Sequence, residues 1–543
     1  MLHGLFSPHV AFNLSVALTV LLAGIGAWLL CRELGALPAA AVVGGIAFAL
    51  CGFNVCHIKH PNLHAAAAMA PWVLWAVERA LARADGRAWP WVGALIGVQL
   101  LAGGPQVAYF TLLAASGRVA WRLIAAGRGA VQARGLAILR IPMLEGGGFV
   151  LAIVIGFALA AAALLPAWEH TALSPRASGM SWEDATRYPY PPADLMTFVL
   201  PRVRGSVWNV TYPGGETFQW ENYGFVGLST LLLAVMGAVA AIRGHAQRRG
   251  RYWLVVLVAA GLLMLGPATP LYRLAWLGVP GMDLFRFPSR FVVLVDLALA
   301  VLASLGCSAL LARLESVGTA ARVVPLVLVG LVTVELSIQQ PTQLPMDDAA
   351  PWRAASPVAA AIAADGGSGR TFHLDDYQVW DEVCRRNLGF RAGFEPFQRL
   401  AGVPLASSGV LMGLRSPGGY VAMPHVRVAR FWTPFQHYFL DVIHQPPQWN
   451  ADARTPGAHF QGALDRSAVR YVLTGEPIVD AARYQALAAF PDIPLYLQVN
   501  VAALPRAYVA TRWVPVEDTA GAARWMFRDG LAFPGVPAIE GAA

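Results

Sequence analysis

The residue types best suited to chemistry are concentrated in one long polar stretch, residues 169–222, between two apolar segments. The stretch mixes aromatic rings, arginines and carboxylates. This mixture suits a sugar, because aromatic faces stack on pyranose rings while paired polar groups fix hydroxyls. A loop of this length is usually functional. The alternative is a loop that packs against the C-terminal part of the chain, with its charges in ordinary ion pairs. Its carboxylates include Glu183, Asp184, Glu216 and Glu221.

A second candidate is a pair of arginines, Arg286 and Arg290, which stand four residues apart where an apolar segment begins. Arginine is always charged and binds phosphate through two parallel hydrogen bonds. Two arginines at the depth of the lipid headgroups would hold a lipid phosphate or pyrophosphate. Snorkelling of the side chains to the interface, or pairing with Asp283, would also explain them.

Histidines cluster in a short polar segment after the second apolar run. Imidazole and thiolate are zinc ligands, but the spacing is loose and no carboxylate accompanies them. The same residues would also form a polar cap at the membrane surface. We favour a third interpretation, the polar rim of a substrate cavity, and assign no metal site. The candidate rim residues are His57, His60, Asn62 and His64, and the thiol is that of Cys56.

Two further residues are predicted to line the same cavity. Gln106 follows Gly103-Gly104-Pro105, a combination that breaks helices and frees backbone groups. In lipid such groups must be buried in protein or face water, which would point Gln106 into the cavity; a plain helical-hairpin turn is the alternative. Tyr223 directly follows the long polar stretch and is assigned to the same cavity.

Composition sets the class of protein in which these residues must work. Of the 543 residues, 57% are hydrophobic and 13% are charged, against about 45–50% and about 25% in soluble domains. This excludes a soluble enzyme, a disordered chain and a coiled coil, and favours a polytopic membrane protein. The net charge of +8 comes from arginines in short loops, a pattern that orients membrane proteins; we expect no nucleic-acid partner. Five cysteines without a CxxC pair predict no disulfide framework.

Spanning a bilayer takes about 20 apolar residues, and on that criterion the sequence predicts about ten spans. The predicted spans are 11–31, 36–53, 64–83, 88–103, 105–126, 146–168, 223–243, 252–271, 290–313 and 321–339.

Arginine placement predicts the orientation of these spans. The loops 118–140 and 243–251 are rich in arginine and fall on the same side if the spans alternate. By the positive-inside rule that side is the cytoplasm. The stretch 169–222 and everything after residue 340 would then be extracytoplasmic.

The two parts of the chain differ in pattern. Residues 1–339 are predicted to form the multi-span domain, which includes the outer loop 169–222. Residues 340–543 are rich in Pro, Gly, Asp and aromatic residues, and predict a soluble α+β domain large enough to bury its own core. Its predicted strands and helices are Val469–Leu473, Leu495–Val499 and Ala507–Ala510, and Pro357–Ala364 and Thr519–Arg528.

Several short motifs, in this order along the chain, resemble the YfhO-type bacterial membrane proteins, which belong to the polytopic glycosyltransferases with the GT-C fold. No single motif is specific, but their order and spacing support the resemblance. The motifs are Gly35–Pro38, His57–His64 leading to Pro71-Trp72, Gly103–Gln106, Ser174–Arg176, Leu200–Arg202, Tyr223–Gly227, Pro280–Arg290, Gly418–Tyr420, Val469–Leu473 and Leu504–Tyr508.

The resemblance implies transfer of a sugar from a polyprenyl-phosphate donor to a cell-envelope acceptor, at the outer face of the bacterial cytoplasmic membrane. Arg176 would join Arg286 and Arg290 as a ligand of the lipid phosphate. A carboxylate would act as general base, sometimes with the help of a divalent metal.

The family carries its carboxylate in an outer loop after a first span, but residues 1–10 contain neither Asp nor Glu. We therefore expect the natural chain to start earlier. As substitutes within this sequence, the candidate catalytic carboxylates are Glu183, Asp184, Glu216 and Glu221.

Two other functions stay open at this point. A non-catalytic envelope-assembly scaffold, or a degenerate relative, would explain the missing acidic loop. A transporter would need ionisable residues inside the spans. Asp296 and Glu335 are candidates for such residues, but each stands alone and a hydrogen bond between helices explains them equally well.

Overall fold

The computed structural model describes most of the chain. The described residues are 2–83, 86–133, 140–213, 218–243, 248–314, 320–374, 376–405, 407–417, 425–428, 458–493, 495–526 and 536–540. They divide into two compact units. The first contains residues 1–168 and 179–345, and the second contains residues 169–178 and 346–543. The second unit thus starts a few residues after the predicted boundary at 340 and includes part of the long polar stretch.

The first unit is helical. The main helices of the described chain before residue 340 are Pro8–Glu33, Pro38–Ala49, Gly52–Cys56, Pro61–Arg83, Trp89–Leu101, Pro105–Ala133, Arg140–Ala172, Leu228–Arg243, Arg248–Met264, Pro270–Gly278, Val292–Leu314 and Ala320–Gln339. Several begin at a proline, which suits the first turn because its missing N–H would have no partner there.

Helix Val292–Leu314 forms the centre of this unit. Every residue from Val292 to Ser308 is buried. The helix Leu228–Arg243 crosses it at close range. A side chain at Gly237 or Gly306 would collide with the backbone of the other helix, so the crossing depends on these two glycines. Small residues allow such crossings in membrane proteins.

Five helices in the described part of the chain are long and apolar enough to cross a membrane: Pro8–Glu33, Pro38–Cys56, Met143–Ala172, Pro288–Leu314 and Val323–Gln343. This fits a helical membrane protein, but the predicted count of ten spans is not supported.

Two of the other predicted spans correspond to helices that are too short to cross a bilayer. Helix Trp89–Leu101 has 13 residues, or about 20 Å against a hydrocarbon core of about 30 Å. In the predicted span 223–243, the helix starts only at Leu228 and therefore has 16 residues. Apolar composition alone could not reveal where these helices end.

Asp296 and Glu335, the acidic residues considered above as transporter candidates, both accept hydrogen bonds from backbone N–H groups. A carboxylate oxygen of Asp296 accepts a hydrogen bond from the Phe53 N–H at 3.3 Å. The Glu335 carboxylate accepts from the N–H groups of Leu228 and Ser229, at 2.5 and 3.1 Å. It thereby caps the helix that begins there. The structure therefore agrees with hydrogen bonding between helices for both residues.

The second unit contains a four-stranded mixed sheet with helices packed against it. Strand Arg370–His373 pairs in parallel with Val469–Thr474, and the remaining pairs are antiparallel. The strand order is Arg370–His373, Val469–Thr474, Leu495–Asn500 and Tyr484–Phe490. A separate parallel pair joins Val514–Val516 and Ala538–Glu540.

Most of the elements predicted for the second unit are present. Helix Pro357–Ala364 and strands Val469–Thr474 and Leu495–Asn500 form as expected, and the last helix is described over Thr519–Met526. The predicted strand Ala507–Ala510 is wrong, because these residues pair with no strand and Val509 is 92% exposed.

Candidate functional site

The centre of the candidate site is a buried carboxylate, Glu221. Arg290 donates to both of its oxygens, from Nε at 2.9 Å and from Nη2 at 2.7 Å. His57 Nε2 lies 3.3 Å from the same carboxylate. His57 Nδ1 lies 2.9 Å from the Phe53 carbonyl oxygen, so both neighbours of the ring are acceptors.

Gln106 completes this group, which we call the Glu221 cluster: Glu221, Arg290, His57 and Gln106. Its side-chain oxygen accepts from Arg290 Nη1 at 3.0 Å, and its amide donates to the Arg286 carbonyl at 2.6 Å. Gln106 is buried in this network. It ties the start of helix Pro105–Ala133 to the loop that carries the arginine pair.

Short elements place these residues. Glu221 ends the turn Gln219–Glu221, Arg290 lies in the turn Pro288–Phe291, and His57 caps the short helix Gly52–Cys56. Each of these elements is short and positions one side chain of the cluster. The cluster therefore joins loops that are far apart in sequence.

The surroundings keep Glu221 ionised. Burial alone would raise the pKa of its carboxyl group, but the charges and hydrogen bonds of Arg290 and His57 outweigh burial and hold the pKa well below its usual range. A carboxylate stabilised in this way is a weak base. It would accept a proton only after the ion pair with Arg290 opened.

Next to this cluster, four aromatic rings form a continuous series, which we call the aromatic row: Trp220, Phe218, Tyr188 and Phe287. Successive ring centroids are 4.9, 5.4 and 4.4 Å apart. Phe287 is buried and the other three rings are partly exposed. Partly exposed faces in a series suit a flat ligand such as a sugar ring.

Two residues of the aromatic row have unfavourable backbone conformations. Tyr188 has φ +124° and Phe287 has φ +67°, values that are rare for bulky residues. Each follows an arginine and precedes a proline, in Arg187-Tyr188-Pro189 and Arg286-Phe287-Pro288. The two rings stack on each other at 4.4 Å. Strain of this kind is concentrated at functional sites.

Positive charges flank the aromatic row. Lys59 Nζ lies 3.1 Å from the centroid of Trp220 and 5.0 Å from that of Trp208. The Arg286 guanidinium lies 6.0 Å from the Tyr188 ring, and that of Arg290 lies 4.2 Å from the Phe287 ring. Within the described residues, neither Lys59 nor Arg286 forms an ion pair. The arrangement suits a ligand that combines a ring with an anionic group.

The other predicted rim residues lie around this group. The rings of His60 and His57 are 5.5 Å apart. Burial, then the charges of His57 and Lys59, lowers the pKa of His60 to about 4. Nδ1 of His60, Nε2 of His64 and the hydroxyl of Tyr223 are buried and have no hydrogen-bond partner among the described residues.

Asn62 is exposed, and its amide donates to the Gly103 carbonyl at 3.0 Å. It therefore links the histidine segment to the loop before Gln106.

The remaining predicted carboxylates have different surroundings. Glu183 is exposed on the short helix Trp182–Ala185. Asp184 is also exposed, and its N–H and carboxylate both bond the Ser181 hydroxyl, which caps that helix. Glu216 lies outside the described residues.

Arg176 belongs to the second unit, whereas Arg286 and Arg290 belong to the first. The grouping of these three arginines around one phosphate therefore stays a prediction.

Sequence reasoning missed Lys59 and its two indole neighbours. Trp208 Nε1 donates to the Gln343 carbonyl, and the Gln219 amide donates to the Gln343 side chain, both at 2.8 Å. Gln343 thus anchors both turns that carry the indoles. The available signal was the chain's only lysine, which lies between two of the histidines already singled out.

A second polar region lies elsewhere in the first unit. Arg118 donates to both oxygens of Glu78, at 2.5 and 2.9 Å, beside a cavity of about 450 Å³. We call this region the Glu78 cleft; its lining residues are Glu78, Leu81, Ala82, Arg118, Trp121, Arg122, Ala125 and Tyr252.

Comparison with known proteins gives no relative: no protein-family model matches the chain, and no curated protein matches its sequence. Across the described residues, no group of three or more His, Cys, Asp or Glu side chains is arranged to hold a metal ion.

Proposed function

We propose that the chain is a membrane glycosyltransferase of the GT-C type. It would transfer a sugar from a polyprenyl-phosphate donor to a cell-envelope acceptor at the outer face of the bacterial cytoplasmic membrane, with the second unit extracytoplasmic. The observation that supports this most is the aromatic row, which is partly exposed and flanked by Lys59 and Arg286, two cations that form no ion pair within the described residues.

The ring faces and the cations would bind different parts of the donor. A pyranose ring would stack on the partly exposed faces of Phe218 and Tyr188. Arg286, which has no ion pair within the described residues, would attract the donor phosphate. Arg290 has both of its carboxylate bonds to Glu221. We therefore assign it the role of holding the cluster together, rather than binding phosphate directly.

The length and apolar composition of one helix support a position for the donor at the membrane surface. Arg290 lies within the spanning segment Pro288–Leu314, two residues after its start. A phosphate bound near Arg286 would therefore lie at the end of a span, at the depth of lipid headgroups. The prenyl chain would extend along apolar helix faces.

A transfer assay tests this proposal. The purified protein would be reconstituted in vesicles with a radiolabelled polyprenyl-phosphate sugar and an envelope fraction as acceptor. We expect labelled acceptor, with about three- to tenfold less label for Phe218→Leu, since one aromatic contact contributes about 0.5–1.5 kcal/mol. Trp121→Leu, which removes a half-exposed ring in the Glu78 cleft, is the matched control and should leave transfer unchanged. Equal rates for both variants would contradict a role for the aromatic row.

A second function, an envelope-assembly scaffold without catalysis, is favoured by one observation. Among the described candidate carboxylates, Glu221 is tied up by Arg290 and His57, and Asp184 bonds its own helix cap. Replacing Glu183, Asp184, Glu216 and Glu221 together by their amides separates the two functions. Full biological activity of that variant would favour the scaffold, and loss of sugar transfer with retained folding would favour the enzyme.

A further inference from the structure

Lys59 is an unusual residue in this chain. It is the only lysine among 40 Lys and Arg residues. A lysine ammonium is a compact point charge, whereas a guanidinium is a wide planar group. The site therefore holds a small cation where every other basic position has the larger one.

Two indoles enclose this ammonium group. Trp220 lies at 3.1 Å and Trp208 at 5.0 Å from Nζ. The rings come from separate turns, Val207–Asn209 and Gln219–Glu221, and Gln343 anchors both turns by hydrogen bonds. The position of Lys59 is thus fixed by the fold.

Among the described residues, the ammonium group of Lys59 has no counter-ion and forms no ion pair. The nearby carboxylate is Glu221, and both of its oxygens are engaged by Arg290, with His57 on one of them. A half-buried cation ordinarily has an anionic partner. Here the protein supplies aromatic faces and leaves the anion to come from outside.

We propose that Lys59 binds a phosphate group of the substrate, and that Trp208 and Trp220 hold its ammonium group in position for this. The proposal rests on the proposed function in one respect: it takes the phosphate to be that of a lipid-linked donor. The chemistry itself requires only a phosphate oxygen within hydrogen-bonding distance of Nζ. Free phosphate has the same chemistry and is distinguished by the experiment.

The single lysine makes a direct test available. The full-length protein in detergent would be acetylated with an N-hydroxysuccinimide ester, and the modified peptide that contains Lys59 would be quantified by mass spectrometry. The probes would be farnesyl phosphate, farnesol and inorganic phosphate. At a concentration about ten times its Kd, we expect farnesyl phosphate to slow acetylation of Lys59 about tenfold, because only the unoccupied fraction of the protein reacts. Farnesol should give no protection.

The outcomes separate the two sources of phosphate. Protection by inorganic phosphate at the same concentration as farnesyl phosphate would assign the site to free phosphate and overturn the lipid-linked assignment. Equal protection by farnesol would show that the prenyl chain merely covers the lysine, and would overturn the proposal. No protection by any of the three probes would also overturn it.

Variants show whether the charge of Lys59 matters beyond the fold. Lys59→Met should weaken binding of radiolabelled farnesyl phosphate about tenfold or more, and Lys59→Arg should restore part of it. Arg122→Met removes a half-exposed positive charge from the Glu78 cleft and should leave binding unchanged. Unchanged binding by Lys59→Met would overturn the proposal, and so would a loss that Lys59→Arg does not reverse in folded protein.

This experiment also separates the inference from the proposed function. Protection of Lys59 without sugar transfer would support the phosphate site and contradict the proposed enzymatic function. Sugar transfer at the normal rate by Lys59→Met would support the proposed enzymatic function and contradict phosphate binding by Lys59.

Discussion

The Glu221 cluster and the Glu78 cleft are built from the same parts. Each contains a bidentate pair between an arginine and a buried glutamate, Arg290 with Glu221 and Arg118 with Glu78. Helix Pro105–Ala133 contributes to both, since it carries Gln106 near its start and Arg118 further along. The two positions are about 18 Å apart along the helix axis.

The two regions differ in what surrounds the ion pair. In the Glu78 cleft, Arg122 is also near a carboxylate, Glu145, at 3.4 Å. Beside the Glu221 cluster, Lys59 and Arg286 lie against aromatic rings and have no carboxylate partner in the part of the chain that the structure describes. A buried ion pair is thus common to both regions and indicates no function by itself. Within the described residues, the candidate site is distinguished by positive charges without an ion pair, by partly exposed rings and by the strained backbone at Tyr188 and Phe287.

The largest expected effect comes from breaking each ion pair. Glu221→Gln and Glu78→Gln each leave an arginine without its carboxylate, and we expect each to lower the free energy of unfolding by about 3–5 kcal/mol. Unfolding in detergent measures this. Sugar transfer by the folded fraction should be lost only for Glu221→Gln. Equal loss of transfer in both variants would contradict the distinction between the two regions.

The next effect concerns the unpaired arginine. Arg286→Gln should lower sugar transfer about 10- to 100-fold, because one charge-assisted contact with phosphate contributes about 1.5–3 kcal/mol. Its thermal stability should hardly change, since the guanidinium is half-buried and forms no ion pair within the described residues. Arg122→Gln is the control for removal of a charge. A similar loss of transfer in Arg122→Gln would assign the effect to net charge and contradict a local role for Arg286.

The helical class of the protein could be predicted from composition. A chain that crosses a bilayer or buries a large core must be rich in apolar residues. The number of spans could not be predicted, since helices such as Trp89–Leu101 and Leu228–Arg243 are apolar but too short to cross a bilayer. Where a helix ends depends on caps and packing partners that a hydropathy pattern does not contain.

Four residues of the candidate site could be predicted one by one, but their arrangement could not. His57, Gln106, Glu221 and Arg290 were each singled out, yet the sequence separates Glu221 from Arg290 by 69 positions and from His57 by 164. Only the tertiary fold brings them together. The two Arg-aromatic-Pro motifs and the single lysine were local signals that point to the aromatic row.

A pH dependence separates the lysine from the arginines of both regions. Burial lowers the pKa of Lys59 from 10.5 to about 8, while Cys56 and Glu221 act in the opposite direction. Affinity for farnesyl phosphate should therefore be full below about pH 8. It should fall about tenfold for each pH unit well above that value, as the ammonium group loses its proton.

Stability should change in the opposite direction over the same range. Because the pKa of Lys59 is lower in the folded protein, the unfolded chain binds more protons between about pH 8 and 10.5. The free energy of unfolding should therefore gain a contribution that rises with pH through this window. Lys59→Arg should remove both trends. Binding by Lys59→Arg that still falls above pH 8 would assign the titration to another group.

The smallest effect compares one buried hydrogen bond in each region. Gln343→Leu removes the acceptor of the Gln219 amide, and Tyr252→Phe removes the hydroxyl that donates to the Ala114 carbonyl. Each should lower the free energy of unfolding by about 1 kcal/mol.

Only Gln343→Leu should also weaken farnesyl phosphate binding, by about three- to fivefold, because it loosens the turn that carries Trp220 and Glu221. Its backbone carbonyl still accepts from Trp208, so the other indole stays anchored and the effect stays small. Equal binding by Gln343→Leu and Tyr252→Phe at equal loss of stability would mean that the turn supports the fold alone. The two indoles around Lys59 would then contribute to packing and not to ligand binding. The two regions would differ only in their charged residues.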